Sequence, residues 1–371
     1  VRIEAAVMDA VNAPLRVQEL ELAAPRRDEV LVRMLTSGIC HSDLSYIDGS
    51  WPAPLPIVLG HEGYGVVEEV GEDVESPRPG DRVVLTFAPA CGRCRFCLEG
   101  RSNLCLRAAR CMDSGLMWDG TTRLSHHGTP VHHLALVSSF ATHAVVPAAG
   151  AIPIDADIDP VHACLLGCGV TTGVMSVTRR ANVRPGDSVA VFGAGGVGLS
   201  AVAGAALVSA SPIIAVDPIA SKRELAIRMG ASHAVDPSTG DGDVAAAIRA
   251  IVPGGVDHAF EAIGRPEVAA AAFASVRDGG TTTLIGQPAI GVTAAFPVYD
   301  VTQFEHTILG SNLGGAVPAL HVPPLARLIG AGLLDIAPLV TDTFPLSQIN
   351  DAVARTLSGE AGRVVLVLDQ P

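Results

Sequence analysis

Lysine is almost missing from the chain: Lys222 is the only one, and arginine supplies every other basic charge. Acids outnumber bases 38 to 25, for a formal charge of −13. No basic run offsets that excess and aromatics make up only 4% of residues, which disfavours a nucleic-acid partner. An unbroken membrane-length apolar run is also missing. Val189 to Val216 carries no charge over 28 residues, more than the roughly 20 that cross a bilayer. It is cut by Gly193, Gly195, Gly196, Gly198, Gly204 and Pro212 and flanked by Asp187 and Asp217, as a buried strand, turn, helix and strand would be. The first residues, Val1-Arg2-Ile3-Glu4, hold no apolar leader core, so the expectation is a cytoplasmic protein with no membrane partner.

What the chain does have is cysteine in two patterns. Its 371 residues suit two domains. Eight cysteines in a reducing compartment argue for metal or catalysis before disulfides. The first pattern is dispersed: Cys40 in Gly38-Ile39-Cys40-His41-Ser42-Asp43, His61 in Leu59-Gly60-His61-Glu62-Gly63, and Cys168 in Leu166-Gly167-Cys168-Gly169. A Cys/His/Cys set leaves one corner of a tetrahedral zinc open, as a catalytic ion requires. The alternative is two inert buried cysteines and a core histidine. The second pattern is compact: Cys91, Cys94, Cys97 and Cys105. Four such thiolates close a tetrahedral zinc site that contributes folding energy, on the order of 10 kcal/mol in small peptides. An iron–sulfur cluster is the rival; the long fourth spacing and the lack of a proline after Cys105 favour zinc. Cys111 and Cys164 are left over and read as small core residues.

Short strands with Pro and Gly punctuation fill residues 1–86, interrupted by a short helix over Cys40–Tyr46, so the N-terminal region reads as a β-barrel. Residues 110–133, with His126, His127, His132 and His133, read as a solvated polar loop. From Val189 the pattern becomes strand, Gly193-Ala194-Gly195-Gly196-Val197-Gly198, apolar helix, then a second strand ending in Asp217. That context makes the glycine motif a dinucleotide loop, with pyrophosphate approaching a helix N-terminus. Asp217 would accept from the adenosine ribose and repel a 2′-phosphate, selecting NAD, and Lys222 lies within reach of the same ribose. Strands and helices then alternate to residue 310, as in a doubly wound parallel sheet.

With both cysteine patterns and the glycine loop in hand, the chain resembles, nearly end to end, the zinc-dependent medium-chain alcohol dehydrogenases. Their Cys₂His zinc is itself the standard example of an open site. The resemblance implies an α/β chain: a GroES-like β-barrel catalytic domain over 1–169 and 312–371, and a doubly wound, Rossmann NAD-binding domain over 170–311. It implies hydride transfer between a primary or secondary alcohol and NAD, with two zinc ions per chain. On the family pattern Cys40, His61 and Cys168 hold the catalytic zinc. Glu62 lies behind it, Asp43 orients His61, and Ser42 relays the proton. Cys91, Cys94, Cys97 and Cys105 hold the structural zinc. His41, Thr172, Gly193, Gly195, Val197, Gly198, Asp217, Lys222, Arg265, Ile285 and Arg363 fall on cofactor positions. Phe87, Leu134 and Ala135 fall on pocket positions and suggest a bulky or aromatic alcohol or its aldehyde. The insertion Asp113–Arg123 resembles the usually dimeric members, so a homodimer is expected, with a tetramer as the alternative.

The chain also departs from the family. Ser45 stands where many relatives carry a proton-relaying histidine. Formaldehyde-type relatives hold glutathione with an arginine and an aspartate, whose nearest places here are Ala109, beside Arg110, and Ser50 or Trp51. A thiol-adduct dehydrogenase is therefore the second reading. A non-catalytic zinc- and NAD-binding protein is the third.

Overall fold

A computed structural model describes residues 1–239, 242–360 and 362–368. Two compact units divide the chain: Val1–Cys168 with Ala316–Ala331 and the residues from Val340 on, and Gly169–Gly315 with Gly332–Leu339.

The first unit is mostly β. Strands Arg2–Met8, Arg16–Leu22, Leu124–His126, Thr129–His133 and Ile57–Val58 close into a small barrel. A second sheet is centred on Glu29–Ile39, which has nine of its 11 residues buried. That strand pairs antiparallel with Glu62–Val70, His143–Pro147 and Arg363–Val367. Its register places Gly38 opposite Glu62, and Ile39 opposite Val364. Cys40, Glu62 and Arg363 therefore meet at one end of the sheet despite their separation in sequence. The core is aliphatic, built from residues such as Val30, Val32, Leu59, Val83 and Leu366.

Residues 110–133 are a loop only over 115–123 and at the turn 127–128. Helix Leu106–Ser114 stops at Gly115 in a left-handed conformation, and the barrel hairpin follows. His127 and Gly128 both have positive φ, which gives a two-residue turn the twist a hairpin needs. The segment is pinned by Arg123, whose buried guanidinium makes two hydrogen bonds to Glu29, at 2.6 and 2.8 Å. His133 is buried and accepts the Arg123 N–H at 3.0 Å; burial pushes it down to about 3, so it stays neutral. A histidine-rich composition concealed a hydrogen-bonded barrel wall.

The second unit carries a six-stranded, all-parallel sheet. Its strand order is His233–Val235, Ile213–Val216, Val189–Phe192, Val256–Glu261, Val276–Leu284, Thr307–Gly310. The strands Val189–Phe192 and Ile213–Val216 are buried along their whole length, as parallel strands covered on both faces must be. No single helix among the described residues is long and apolar enough to cross a membrane.

Candidate metal and dinucleotide sites

Cys40 immediately precedes helix His41–Ile47. The carboxylate of Asp43, fully buried, accepts the Cys40 N–H at 3.0 Å on one oxygen. Its other oxygen accepts the Gly60 N–H and faces His61 Nδ1, each at 3.1 Å. A carboxylate can only accept, so Nδ1 carries the proton and Nε2 presents its lone pair. Gly60 turns the chain into His61 with φ +89°, where an added Cβ would strike Phe140 and Ser139. One aspartate thus sets two sequence-distant donors.

Cys40, His61, Glu62 and Cys168 offer ligand atoms that all lie within 4.8 Å of one another. All four are buried. The hydrogen bond from Cys168 pushes the Cys40 thiol well down, with His61 and Arg363 adding to the effect against burial; Cys168 rises correspondingly. Burial opposes charge on His61, yet Asp43 and Cys40 raise it. Burial carries the Glu62 carboxyl up to about 7 against the pull of Arg363, whose guanidinium contacts it directly. Two thiols, an imidazole and a buried acid form a donor set that suits a soft divalent ion such as zinc. Arg363 is only 6% exposed, and its Nε has no acceptor among the described residues. Ser42 Oγ lies 3.8 Å from Cys40 Sγ. The Phe87 ring stands edge-on to His61, centroids 5.8 Å apart. Leu134 and Ala135 are buried in the barrel core, against which Phe87 packs.

Cys91, Cys94, Cys97 and Cys105 also lie within 4.8 Å of one another. Here backbone amides do the aiming. The N–H groups of Cys97 and Leu106 push Cys94 down to about 6, while burial lifts Cys97 to about 12. The lobe is less polar than its sequence suggests: the four sulfurs pack with Cys111, Met117, Leu136 and Trp118 in a small core of their own. All eight cysteines are free, and Cys111 and Cys164 are buried.

In the second unit, Gly193 leaves strand Val189–Phe192 with φ +93°, and helix Gly196–Leu207 begins three residues later. A Cβ on Gly198 would lie 1.7 Å from the Gly193 carbonyl, so only glycine fits there. A Cβ on Gly195 would meet nothing within 4 Å: the N-terminal end of the helix faces open space, as a pyrophosphate needs. Asp217, 6% exposed, accepts from Ala194 N at 2.8 Å and Ile219 N at 2.9 Å, tying the strand end to the glycine loop. Arg223, rather than Lys222, contacts the Asp217 main chain, donating to its carbonyl at 2.7 Å and pairing with Asp236. Lys222 sits half-buried in helix Ala220–Arg228. Thr172 is buried, Arg265 precedes helix Pro266–Ala274, and His41 is exposed in the first unit.

Glu261 escaped the sequence reading. It is buried, and one carboxylate oxygen accepts from Ile263 N at 2.9 Å and Gly264 N at 2.7 Å. Its carbonyl accepts from Ile285 and Gly286. Gly193 packs directly on Ile263, so the glycine loop, Arg265 and Ile285 are organised around this one acid. Its signal was available: an acid ends strand Val256–Glu261 as Asp217 follows strand Ile213–Val216.

Comparison with known proteins agrees with this chemistry. Residues 26–156 match the alcohol dehydrogenase GroES-like domain, and residues 196–329 the zinc-binding dehydrogenase family. An S-(hydroxymethyl)glutathione dehydrogenase from Escherichia coli is 39% identical over 98% of each chain. Among solved structures, an alcohol dehydrogenase zinc-binding domain protein from Burkholderia ambifaria superimposes with a TM-score of 0.96 at 40% identity. Benzyl alcohol dehydrogenase from Acinetobacter calcoaceticus superimposes with a TM-score of 0.94 at 35% identity. Both alignments cover 100% of each chain.

Proposed function

Because the chain belongs to the zinc-dependent medium-chain alcohol dehydrogenase family, we propose that this oxidoreductase interconverts a bulky or aromatic alcohol and its carbonyl product with NAD. The observation that carries the reading is Asp43 holding Cys40 and His61 in one buried cluster with Cys168. Zinc held in that set would supply Lewis-acid stabilisation of negative charge on the substrate oxygen, and NAD bound at the glycine loop would supply the hydride acceptor. Cys40, His61 and Cys168 hold the ion, and Glu62, backed by Arg363, is the adjacent acid. Cys91, Cys94, Cys97 and Cys105 hold a second, structural zinc. The Ser42 hydroxyl accepts the substrate proton and passes it outward; Phe87 gives the pocket an aromatic wall. The glycine loop takes the pyrophosphate; His41 and Arg363 fall on positions that contact the cofactor in relatives.

Asp217 supports NAD over NADP, since a 2′-phosphate would face its buried carboxylate. The exposed Val298 and Tyr299, next to a sheet edge formed by Thr307–Gly310, support a homodimer, which sedimentation would test. The curated relative favours a second reading, a thiol-adduct dehydrogenase, but the glutathione-holding positions are changed here.

A screen of aliphatic, allylic and aromatic alcohols with NAD, with and without glutathione, separates the two. Highest kcat/KM for aromatic alcohols without thiol is expected. Activity only on the glutathione–formaldehyde adduct would replace the first reading with the second.

A further inference from the structure

The lobe around the four-cysteine cluster carries more positive charge than the cluster calls for. Between Cys91 and Cys111 stand Arg93, Arg95, Arg101, Arg107 and Arg110, against a single acid, Glu99. Four thiolates around a divalent ion leave a charge of about −2. Arg95 is paired with Glu99 at 2.7 Å, and Arg101 lies over the Phe96 ring. The remaining three, Arg93, Arg107 and Arg110, line one cavity of about 520 Å³. None of them pairs with a carboxylate among the described residues. In a chain of net charge −13, that is a local reversal of sign.

Leu106, Met117 and Trp118 line the same cavity, and the Arg107 guanidinium sits 4.5 Å over the Trp118 ring. Arg107 also donates to the Trp118 carbonyl at 3.1 Å, which fixes that stack. The Trp118 indole N–H is buried and has no acceptor among the described residues. Buried donors without partners are uncommon enough to point to a group that completes them. Three guanidiniums on one cavity ask for an anion; the indole and the exposed Leu106 side chain beside them ask for a planar apolar body.

We propose that this cavity binds a small planar organic anion of the arenecarboxylate class, the carboxylate on Arg93 and Arg110 and the ring against Trp118 and Leu106. The cavity borders the proposed structural zinc site, sharing Cys91 and Cys94 with it, contains no residue of the proposed catalytic cluster, and does not depend on which alcohol the enzyme oxidises.

Trp51 and Trp118 are the only tryptophans, so Trp51→Phe leaves Trp118 as the sole indole reporter. In that protein, with its metals bound, benzoate should quench Trp118 emission saturably. Arg93→Gln with Arg110→Gln, both on exposed positions, should raise the benzoate Kd at least about tenfold without changing the melting temperature. Acetate and inorganic phosphate should bind at least about tenfold more weakly, having no ring to bury. Calorimetric titration of the unsubstituted chain reads the same affinities if Trp51→Phe folds poorly. Quenching that never saturates, a Kd indifferent to the paired substitutions, or phosphate or glutathione binding as tightly as benzoate would overturn the proposal.

Discussion

Cys91, Cys94, Cys97 and Cys105 come from one short loop, whereas Cys40, His61, Glu62 and Cys168 are brought together by a sheet register and a buried aspartate. In both groups the ligand atoms lie within 4.8 Å of one another. The local cluster is aimed by its own backbone amides and leans on a few apolar neighbours. The dispersed cluster is wholly buried and needs the folded barrel before its donors can meet. A metal in the first would be part of how the lobe folds, and a metal in the second would be held by a fold already made.

Removing one sulfur from each cluster tests that contrast. Cys168→Ser should lower turnover by about 10³-fold or more, the several kcal/mol a Lewis acid supplies, and remove one zinc per chain while the fold persists. Metal analysis and the melting curve check both parts. Ser42→Ala should lower turnover by roughly 10²-fold with both metals retained, the usual worth of a positioned proton carrier. Near-normal turnover would take Ser42 out of the proton path. Cys94→Ser should instead lower the melting temperature by about 5 °C or more and leave turnover of the still-folded fraction close to normal. Equal loss of activity in Cys94→Ser and Cys168→Ser would erase the distinction between the clusters.

The same contrast explains what could be read before any coordinates. The four-cysteine spacing and the glycine motif are local patterns whose physics fits in a few residues, so both were visible in sequence. Gly193, Gly198 and Asp217 stand as that motif requires. The dispersed ligands could be offered from the residues only beside an equal rival of inert core side chains until resemblance decided between them, because nothing in the spacing of Cys40, His61 and Cys168 reveals that Gly38 faces Glu62 across a sheet. Residues 110–133 misled because histidine content was taken for solvation, whereas His133 is a buried neutral acceptor. Lys222 drew attention by its rarity, yet Arg223 makes the contact to Asp217.

A smaller effect probes the second unit, which contributes no residue to either cluster. Glu261→Met keeps the length but removes the oxygen that accepts from the backbone N–H groups of Ile263 and Gly264. Leaving such groups unpaired costs about 1–3 kcal/mol, so NADH should bind about tenfold more weakly, read by its fluorescence without any substrate. Zinc content should not change. An unaltered NADH Kd would show that the loops carrying Arg265 and Ile285 hold their shape without this acid.

The smallest effect concerns Ser45, whose hydroxyl donates to the His41 carbonyl at 3.2 Å inside helix His41–Ile47 and so is occupied locally. If no side chain at this position carries the proton outward, water must. A histidine there would add a base whose ordinary pKa is near 6.5. Between pH 6 and 7 enough of it is neutral to accept a proton while hydroxide is scarce; well above pH 8 hydroxide does the same work. Ser45→His should therefore raise alcohol oxidation a few-fold, about two to five times, near pH 6.5 and leave it unchanged at alkaline pH. A pH–rate profile that superimposes on that of the unsubstituted enzyme would mean that proton exit never limits the rate, and that the missing histidine costs this chain nothing.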